Sequence, residues 1–184
     1  MNNEITNAVD VLKSGGIILY PTDTIWGIGC DACCDTAVKK VFEIKRRDHS
    51  KPLICLASSF EMVGEYVEVS NLKKLKSISE KSPTTFIFKN PIKISKYVTS
   101  NRCSIGFRVP NDNFCSELLN KFGRPIVSTS ANISGFDIPL KFNLISSEIK
   151  SKVDYVVNYG KNKRSYSAST ILKIDEKGLI TKLR

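Results

Sequence analysis

The chain has 184 residues, 41% of them hydrophobic and 25% charged, which fits one globular domain with a sizeable buried core. Its apolar runs fall short of the roughly 20 residues of a membrane span, and its N-terminus lacks a basic segment leading into an apolar one, so we expect a cytoplasmic protein with no signal peptide and no membrane contact. The net charge of +10 indicates either a lysine-rich solvated surface or a polyanionic ligand, such as nucleic acid or the phosphates of a nucleotide.

Helices and short apolar strands are predicted to alternate along the chain. Residues 4–14 place apolar side chains at helical spacing, and residues 17–20 form an apolar run typical of a strand buried on both faces. Asp35 is predicted to cap a helix that runs to about Lys45, and Asp112 to open one that runs to about Phe122. The remaining predicted elements are helices near 59–66 and 71–80 and strands at 52–56, 84–88, 104–109, 125–128, 153–158, 169–174 and 179–183. This order predicts an α/β fold with one mixed sheet.

Several unusual polar segments follow predicted strands, where open α/β sheets tend to bind ligands. The first, residues 20–29, is predicted to be a loop that combines one proline, threonine hydroxyls and two glycines able to approach a ligand closely. On its composition alone, an ordinary turn around a core Trp26 is the favoured interpretation.

A basic segment follows the second predicted helix. Lys45, Arg46, Arg47 and Lys51 place four cations within seven positions, and they repel one another unless an anion joins them. A phosphate chain is a natural counterion, because Arg offers it a bidentate fork and Lys a point charge. The alternative is a solvated helix end whose cations favour the negative pole of the helix dipole.

Two later segments offer further polar groups. Residues 128–135 combine small hydroxyl side chains with glycine, a composition that either exposes N–H groups to an anion or forms a flexible serine-rich loop. Arg108 lies in an otherwise apolar strand pattern. If it faces inward it requires a carboxylate or phosphate partner, and if it faces outward it is a surface charge.

The six cysteines do not indicate a metal centre. Cys30, Cys33 and Cys34 cluster, but no second cysteine or histidine pair completes a zinc set, and His49 is the only histidine. We therefore predict reduced thiols without a metal site.

Taken together and in this order, these segments resemble the YrdC family of threonylcarbamoyl-adenylate synthases. The resemblance covers nearly the whole chain. It rests on Tyr-Pro-Thr-Asp/Glu-Thr-x-x-Gly-x-Gly at 20–29, Lys-x-Arg at 45–47, Gly-x-Arg-x-Pro at 106–110, Ser-x-Asn at 130–132, Ser-Thr at 169–170 and a final Leu-Arg at 183–184. Asp48, Ser82 and Ala168 depart from residues common in the family without removing any cation or hydroxyl of these motifs.

The resemblance implies a twisted open mixed sheet with flanking helices and a concave basic cavity, in the short single-domain form over residues 1–184. It also implies an activity: L-threonine and bicarbonate form an N-carboxylate that attacks the α-phosphorus of ATP, giving threonylcarbamoyl-AMP and pyrophosphate, with Mg²⁺ on the triphosphate. A downstream threonylcarbamoyl-transferase complex would then modify adenosine 37 of tRNA.

Residue roles follow from the same resemblance. Thr22, Arg108 and Ser169 would hold threonine, with Arg108 on its carboxylate. The residues expected to hold ATP are Arg47, Lys51, Ser104, Ser130, Asn132 and Arg184, and the expected catalytic set is Lys45, beside the phosphates, with Arg47, Ser130 and Asn132.

Other functions stay open at this point. One is an RNA-binding module without synthase activity, and we expect the basic surface to bind tRNA weakly in either case. A relative that has lost synthase activity would lack the Lys-x-Arg and Ser-x-Asn pairs, which are present here. A carbamoyl-transfer role would normally come with further domains.

Overall fold

The structure, a computed structural model, describes residues 1–162, 168–174 and 180–183. Within these ranges nine strands form one mixed sheet in the order β7-β1-β2-β6-β3-β5-β4-β8-β9. The strands are β1 Ile18–Tyr20, β2 Gly27–Gly29, β3 Ile54–Leu56, β4 Thr84–Lys89, β5 Ser104–Arg108, β6 Ile126–Ser130, β7 Tyr155–Val156, β8 Thr170–Ile174 and β9 Ile180–Lys182. The pairs β1–β7, β3–β5 and β4–β8 are parallel and the others antiparallel. The predicted α/β fold with one mixed sheet is confirmed.

Seven α-helices flank the sheet within the described ranges, and each of them is too short or too polar to span a bilayer. They are α1 Asn2–Lys13, α2 Asp35–Lys45, α3 Phe60–Gly64, α4 Leu72–Lys81, α5 Lys96–Thr99, α6 Asn113–Phe122 and α7 Ser147–Lys152. Asp112 caps α6 as predicted, since its side chain accepts a hydrogen bond from the Cys115 N–H. The predicted cap of α2 is wrong: Cys34 is the N-cap, and Asp35 is the first helical residue, where its charge favours the positive end of the helix dipole.

The two faces of the sheet are covered differently. One face packs against a large apolar cluster that includes Val38, Val41 and Phe42 of α2. On the other face, α1 and α6 cover the part formed by β1, β3 and β6, where Leu56 and Ile126 are buried. Strand side chains alternate between the two faces of a sheet. The residues two positions away from Leu56 on β3 and from Ile126 on β6 therefore lie on this same face, where α1 and α6 no longer cover it. A concave opening forms there.

One strand was not predicted, and another runs further than predicted. Residues 27–29, predicted as part of a loop, form β2 between β1 and β6. Glycine is a poor strand former, so this strand depends on its two partners and on the ring of Tyr20, which lies over it. β6 likewise continues to Ser130, two residues past its predicted end, because Ser130 pairs with Gly27.

The close packing at β2 predicts that Gly29→Ala destabilises the fold. A Cβ on Gly29 would lie 2.7 Å from Tyr20 Cε1 and 2.8 Å from the Val127 carbonyl oxygen. We expect the free energy of unfolding to fall by about 1–3 kcal/mol, measured by urea denaturation. Gly64→Ala is the matched control, because a Cβ there meets nothing within 4 Å. Equal effects of the two substitutions would contradict this account.

Candidate functional site

The concave opening contains a cavity of about 230 Å³. Five of the residues predicted to form a site line it together, although they come from five separate parts of the chain: Thr22, Arg47, Arg108, Ser130 and Ser169. A larger groove of about 670 Å³ lies against α4 and β4, and none of the predicted site residues lines it.

Arg108 faces inward at the end of β5. Its side chain is 3% exposed, and Nη1 donates to Thr24 Oγ1 at 2.8 Å and lies 3.0 Å from Asp23 Oδ1. The sequence predicted that an inward Arg108 would require a carboxylate or phosphate, and the structure supplies the carboxylate of Asp23. The sequence alone does not indicate this pair, because 85 positions of chain separate the two residues; the only signal is an acidic residue inside the 20–29 motif.

The segment between β1 and β2 is held by its own hydroxyls. Thr22 Oγ1 donates to the Ile25 carbonyl oxygen at 2.8 Å and accepts from the Thr24 N–H at 3.1 Å. Thr24 Oγ1 lies 3.0 Å from Thr22 Oγ1. From α6, the Cys115 thiol contacts the Pro21 carbonyl oxygen at 3.5 Å. Thr22 therefore lines the cavity while its hydroxyl stabilises the turn.

Lys45 is buried at the end of α2 and is not among the residues that line the cavity. Its ammonium donates to the Ser130 carbonyl oxygen, to the Asn132 carbonyl oxygen at 2.6 Å and to Asn132 Oδ1 at 3.3 Å. Burial, with a smaller contribution from the Arg47 charge, lowers the pKa of Lys45 to about 7. The Lys45 side chain thus stabilises the segment after β6 without lining the cavity.

That segment, residues 130–136, folds back on itself around Lys45. Ser130 Oγ donates to Asn132 Oδ1 at 2.5 Å, and Asn132 Nδ2 donates to the Phe136 carbonyl oxygen at 2.6 Å. The Ser134 N–H donates to the Lys45 carbonyl oxygen at 2.8 Å. Of the Ser-x-Asn pair, Ser130 lines the cavity, and Asn132 holds Ser130 in place by accepting the hydrogen bond from its hydroxyl.

The other three cations of the basic segment point in three different directions. Arg46 is the C-cap of α2 in the left-handed conformation, with φ of 48°, and it pairs with Glu148 of α7 at 2.6 Å. Arg47 lines the cavity, where Nη2 donates to the Pro52 carbonyl oxygen at 2.9 Å. Burial lowers the pKa of Arg47, and the nearby Asp48 charge opposes this shift. Lys51 is exposed and is not part of the cavity wall.

The remaining predicted residues differ in position. Ser169 is buried on the cavity wall, and its hydroxyl lies 2.8 Å from Thr85 Oγ1. Ser104 is not among the lining residues. On β5 it precedes Gly106 by two positions and Arg108 by four, so it shares their face of the sheet. Arg184 lies outside the described residues.

The cysteines do not contribute to a metal site in the described part of the chain, where no group of three or more His, Cys, Asp or Glu side chains could hold an ion. All six thiols are free. Burial raises the pKa of the Cys30, Cys55 and Cys115 thiols. These three cysteines pack as small apolar side chains.

A protein-family model and several solved structures match the chain. The family model Sua5/YciO/YrdC, described as telomere recombination, matches residues 10–184. Sua5 from P. abyssi is 25% identical with a TM-score of 0.87, and the match covers 98% of this chain and 55% of that one. A structure of P. abyssi Sua5 complexed with L-threonine is 24% identical with a TM-score of 0.86, covering 98% and 53%.

Two further proteins share the fold. E. coli YciO is 23% identical with a TM-score of 0.82, and the match covers 100% of this chain and 89% of that one. HypF, in a phosphate- and nucleotide-bound form, is 22% identical with a TM-score of 0.84, covering 98% and 28%. This chain spans 55% of the length of the P. abyssi Sua5 chain.

Proposed function

This chain belongs to the Sua5/YciO/YrdC family, and we propose that it is an L-threonylcarbamoyl-adenylate synthase. In this proposal it condenses L-threonine, bicarbonate and ATP to threonylcarbamoyl-AMP and pyrophosphate. The product supplies a downstream transferase complex that forms N6-threonylcarbamoyladenosine at position 37 of tRNA.

The observation that carries this proposal is the meeting of two arginines from separate motifs in one small cavity. Arg47 and Arg108 both line it, together with the hydroxyl residues Ser130 and Ser169. Two cations suit two anionic substrates, one a carboxylate and the other a phosphate chain. Support also comes from the relatives, since P. abyssi Sua5 forms a complex with L-threonine and HypF has a phosphate- and nucleotide-bound form.

In the proposed arrangement threonine lies between Arg108 and Ser169, beside Thr22, with its carboxylate on Arg108. ATP binds toward Arg47 and Ser130, with Asn132 bracing Ser130. Further contacts to ATP come from Lys51, Ser104 and Arg184, which makes the site larger than the cavity itself.

The size of the cavity supports this division. A volume of about 230 Å³ lies below the roughly 300 Å³ at which sites for drug-sized ligands begin. It suits threonine and the reacting phosphate better than a complete nucleotide. The rest of ATP then extends along the open sheet face, on which Ser104 lies.

The chemistry is a displacement at phosphorus. An oxygen of the threonine N-carboxylate bonds to the α-phosphorus of ATP, and the bond from that phosphorus to the pyrophosphate oxygen breaks. The reaction does not require a proton acceptor from the protein, so the residues contribute positioning and stabilisation of negative charge. The described residues that line the cavity include no carboxylate, so Mg²⁺ would enter on the phosphates of ATP and neutralise part of their charge.

Substrate dependence tests the proposal. The protein is incubated with L-threonine, bicarbonate and Mg-ATP, and pyrophosphate release is measured. We expect release only when all three substrates are present, and little release when serine replaces threonine. Omission of each substrate in turn is the control. Pyrophosphate release that ignores threonine would contradict the proposal, and tight, salt-resistant tRNA binding without ATP binding would favour an RNA-binding module instead.

A further inference from the structure

Asp23 has no role in the site as proposed above, yet it is buried directly beside it. Its side chain is 7% exposed, and Oδ1 lies 3.0 Å from Arg108 Nη1. Neither carboxylate oxygen makes a hydrogen bond of good geometry with the described residues. Burying a carboxylate with so few hydrogen bonds is costly, so stability alone does not account for it.

The backbones of both partners are fixed. Asp23 lies within the turn that Thr22 closes by its bonds to Ile25 and Thr24. Arg108 ends β5, where it pairs with Leu56, and its carbonyl oxygen accepts from the Ala57 N–H at 3.0 Å. The carboxylate and the guanidinium therefore meet at a separation that the fold sets.

The loop engages one nitrogen of Arg108. Both Thr24 Oγ1 and Asp23 Oδ1 approach Nη1, while Nε has no hydrogen-bond partner within the described ranges. The guanidinium thus keeps N–H donors that the loop does not use. Nε is itself buried, so a ligand in the cavity that Arg108 lines would accept from the other terminal nitrogen, Nη2.

Resting on the proposed function, we propose that Asp23 is a positioning residue, which holds the Arg108 guanidinium in the orientation that receives the carboxylate of threonine. Asp23 does not touch the substrate in this account. It acts through Arg108, and the site thereby prefers a ligand that carries a carboxylate over one that does not.

The test compares two ligands on the full chain by titration calorimetry. L-Threonine carries the carboxylate, and L-threoninamide carries a neutral amide in its place. We expect the wild-type protein to bind L-threonine roughly 10-fold or more tightly than the amide, the range of a hydrogen bond to a charged group. Asp23→Asn is expected to lose most of this preference while ATP affinity changes little.

Two further variants separate positioning from folding. Asp23→Glu keeps the charge but displaces it by one methylene, so we expect an intermediate preference for L-threonine over the amide. If Asp23→Asn does not fold, Asp23→Glu provides the test. Asp10→Asn, an exposed aspartate on α1, is the control and should keep the full preference.

The outcomes distinguish this inference from the proposed function. A full preference for L-threonine in Asp23→Asn would overturn the role of Asp23. So would parallel losses of L-threonine, L-threoninamide and ATP binding, because they indicate a purely structural residue. Failure of the wild-type protein to bind L-threonine at all would overturn the proposed function itself.

Discussion

Lys45→Met is expected to lower the free energy of unfolding by about 1–3 kcal/mol and to remove most of the proposed synthase activity. The methionine has similar length but leaves three oxygens of Ser130 and Asn132 without the ammonium that now donates to them. The Ser130 carbonyl oxygen still accepts from the Asn132 N–H, and Asn132 Oδ1 still accepts from the Ser130 hydroxyl. The Asn132 carbonyl oxygen keeps no donor among the described residues, and a buried acceptor left unpaired costs roughly 1–3 kcal/mol. Activity falls because Ser130 loses its fixed place on the cavity wall.

Lys40→Met on the same helix is the matched control for Lys45→Met. Lys40 is exposed, and substitutions at such surface positions usually change stability by no more than about 0.5 kcal/mol. Chemical denaturation gives the stability of each variant, and pyrophosphate release gives the activity. An Lys45→Met protein with unchanged stability and only weaker ATP binding would show that Lys45 contacts phosphate directly, as the family resemblance implied.

The same lysine predicts a dependence on pH. Burial lowers the pKa of Lys45 to about 7 in the folded protein, whereas the unfolded chain keeps the ordinary value of 10.5. Between these two values the unfolded state binds more protons, so the contribution of Lys45 to stability is lost as the pH falls from about 10.5 to about 7. We therefore expect the stability difference between the wild-type protein and Lys45→Met to grow from pH 7 to pH 9. A difference that shrinks over this range would contradict the assignment.

The fold was predictable where the pattern is local. The helices α1, α2 and α6 are long enough to show apolar spacing, and the core strands β1 and β3 are short apolar runs. β2 was not predictable in this way, because its two glycines carry no strand preference and the strand exists through pairing with β1 and β6. The helices α5 and α7 were not predicted, because they have only four and six residues. Each packs against the core through one buried apolar side chain, Val98 or Ile149.

The site was predictable as a set of motifs but not as a set of contacts. Thr22, Arg47, Arg108, Ser130 and Ser169 were expected to share a site from the order of their motifs, and they line one cavity. The sequence did not indicate that Lys45 turns away from that cavity toward the 130–136 segment. Nor did it pair Asp23 with Arg108, because side-chain direction and long-range pairing depend on how β1, β5 and β6 assemble.

Arg47→Ala is expected to affect the other substrate. Arg47 follows the end of α2 and lines the cavity, and it is not part of the Asp23–Arg108 pair. Loss of a charge-assisted hydrogen bond costs about 1.5–3 kcal/mol, so ATP affinity should fall roughly 10- to 150-fold while L-threonine affinity changes less. Calorimetric titration with each substrate measures this split. Equal loss of both substrates, with a lower melting temperature, would show that Arg47 is structural.

Arg108→Met is expected to destabilise the protein by about 3–5 kcal/mol, because it leaves the buried Asp23 carboxylate without its charge partner. The double variant Asp23→Asn/Arg108→Met removes both charges and should recover most of that loss, since a buried pair replaced as a unit is often nearly neutral.

Binding separates the two consequences of losing Arg108. L-Threonine affinity should stay roughly 10- to 150-fold reduced in both the single and the double variant, because neither offers a cation to the carboxylate. ATP affinity in the stable double variant should remain close to that of the wild-type protein. Arg102→Met, an exposed arginine, is the control for removal of a positive charge from the same chain. Recovery of L-threonine binding together with stability in the double variant would mean that Arg108 serves only to neutralise Asp23, and the threonine site would have to lie elsewhere in the cavity.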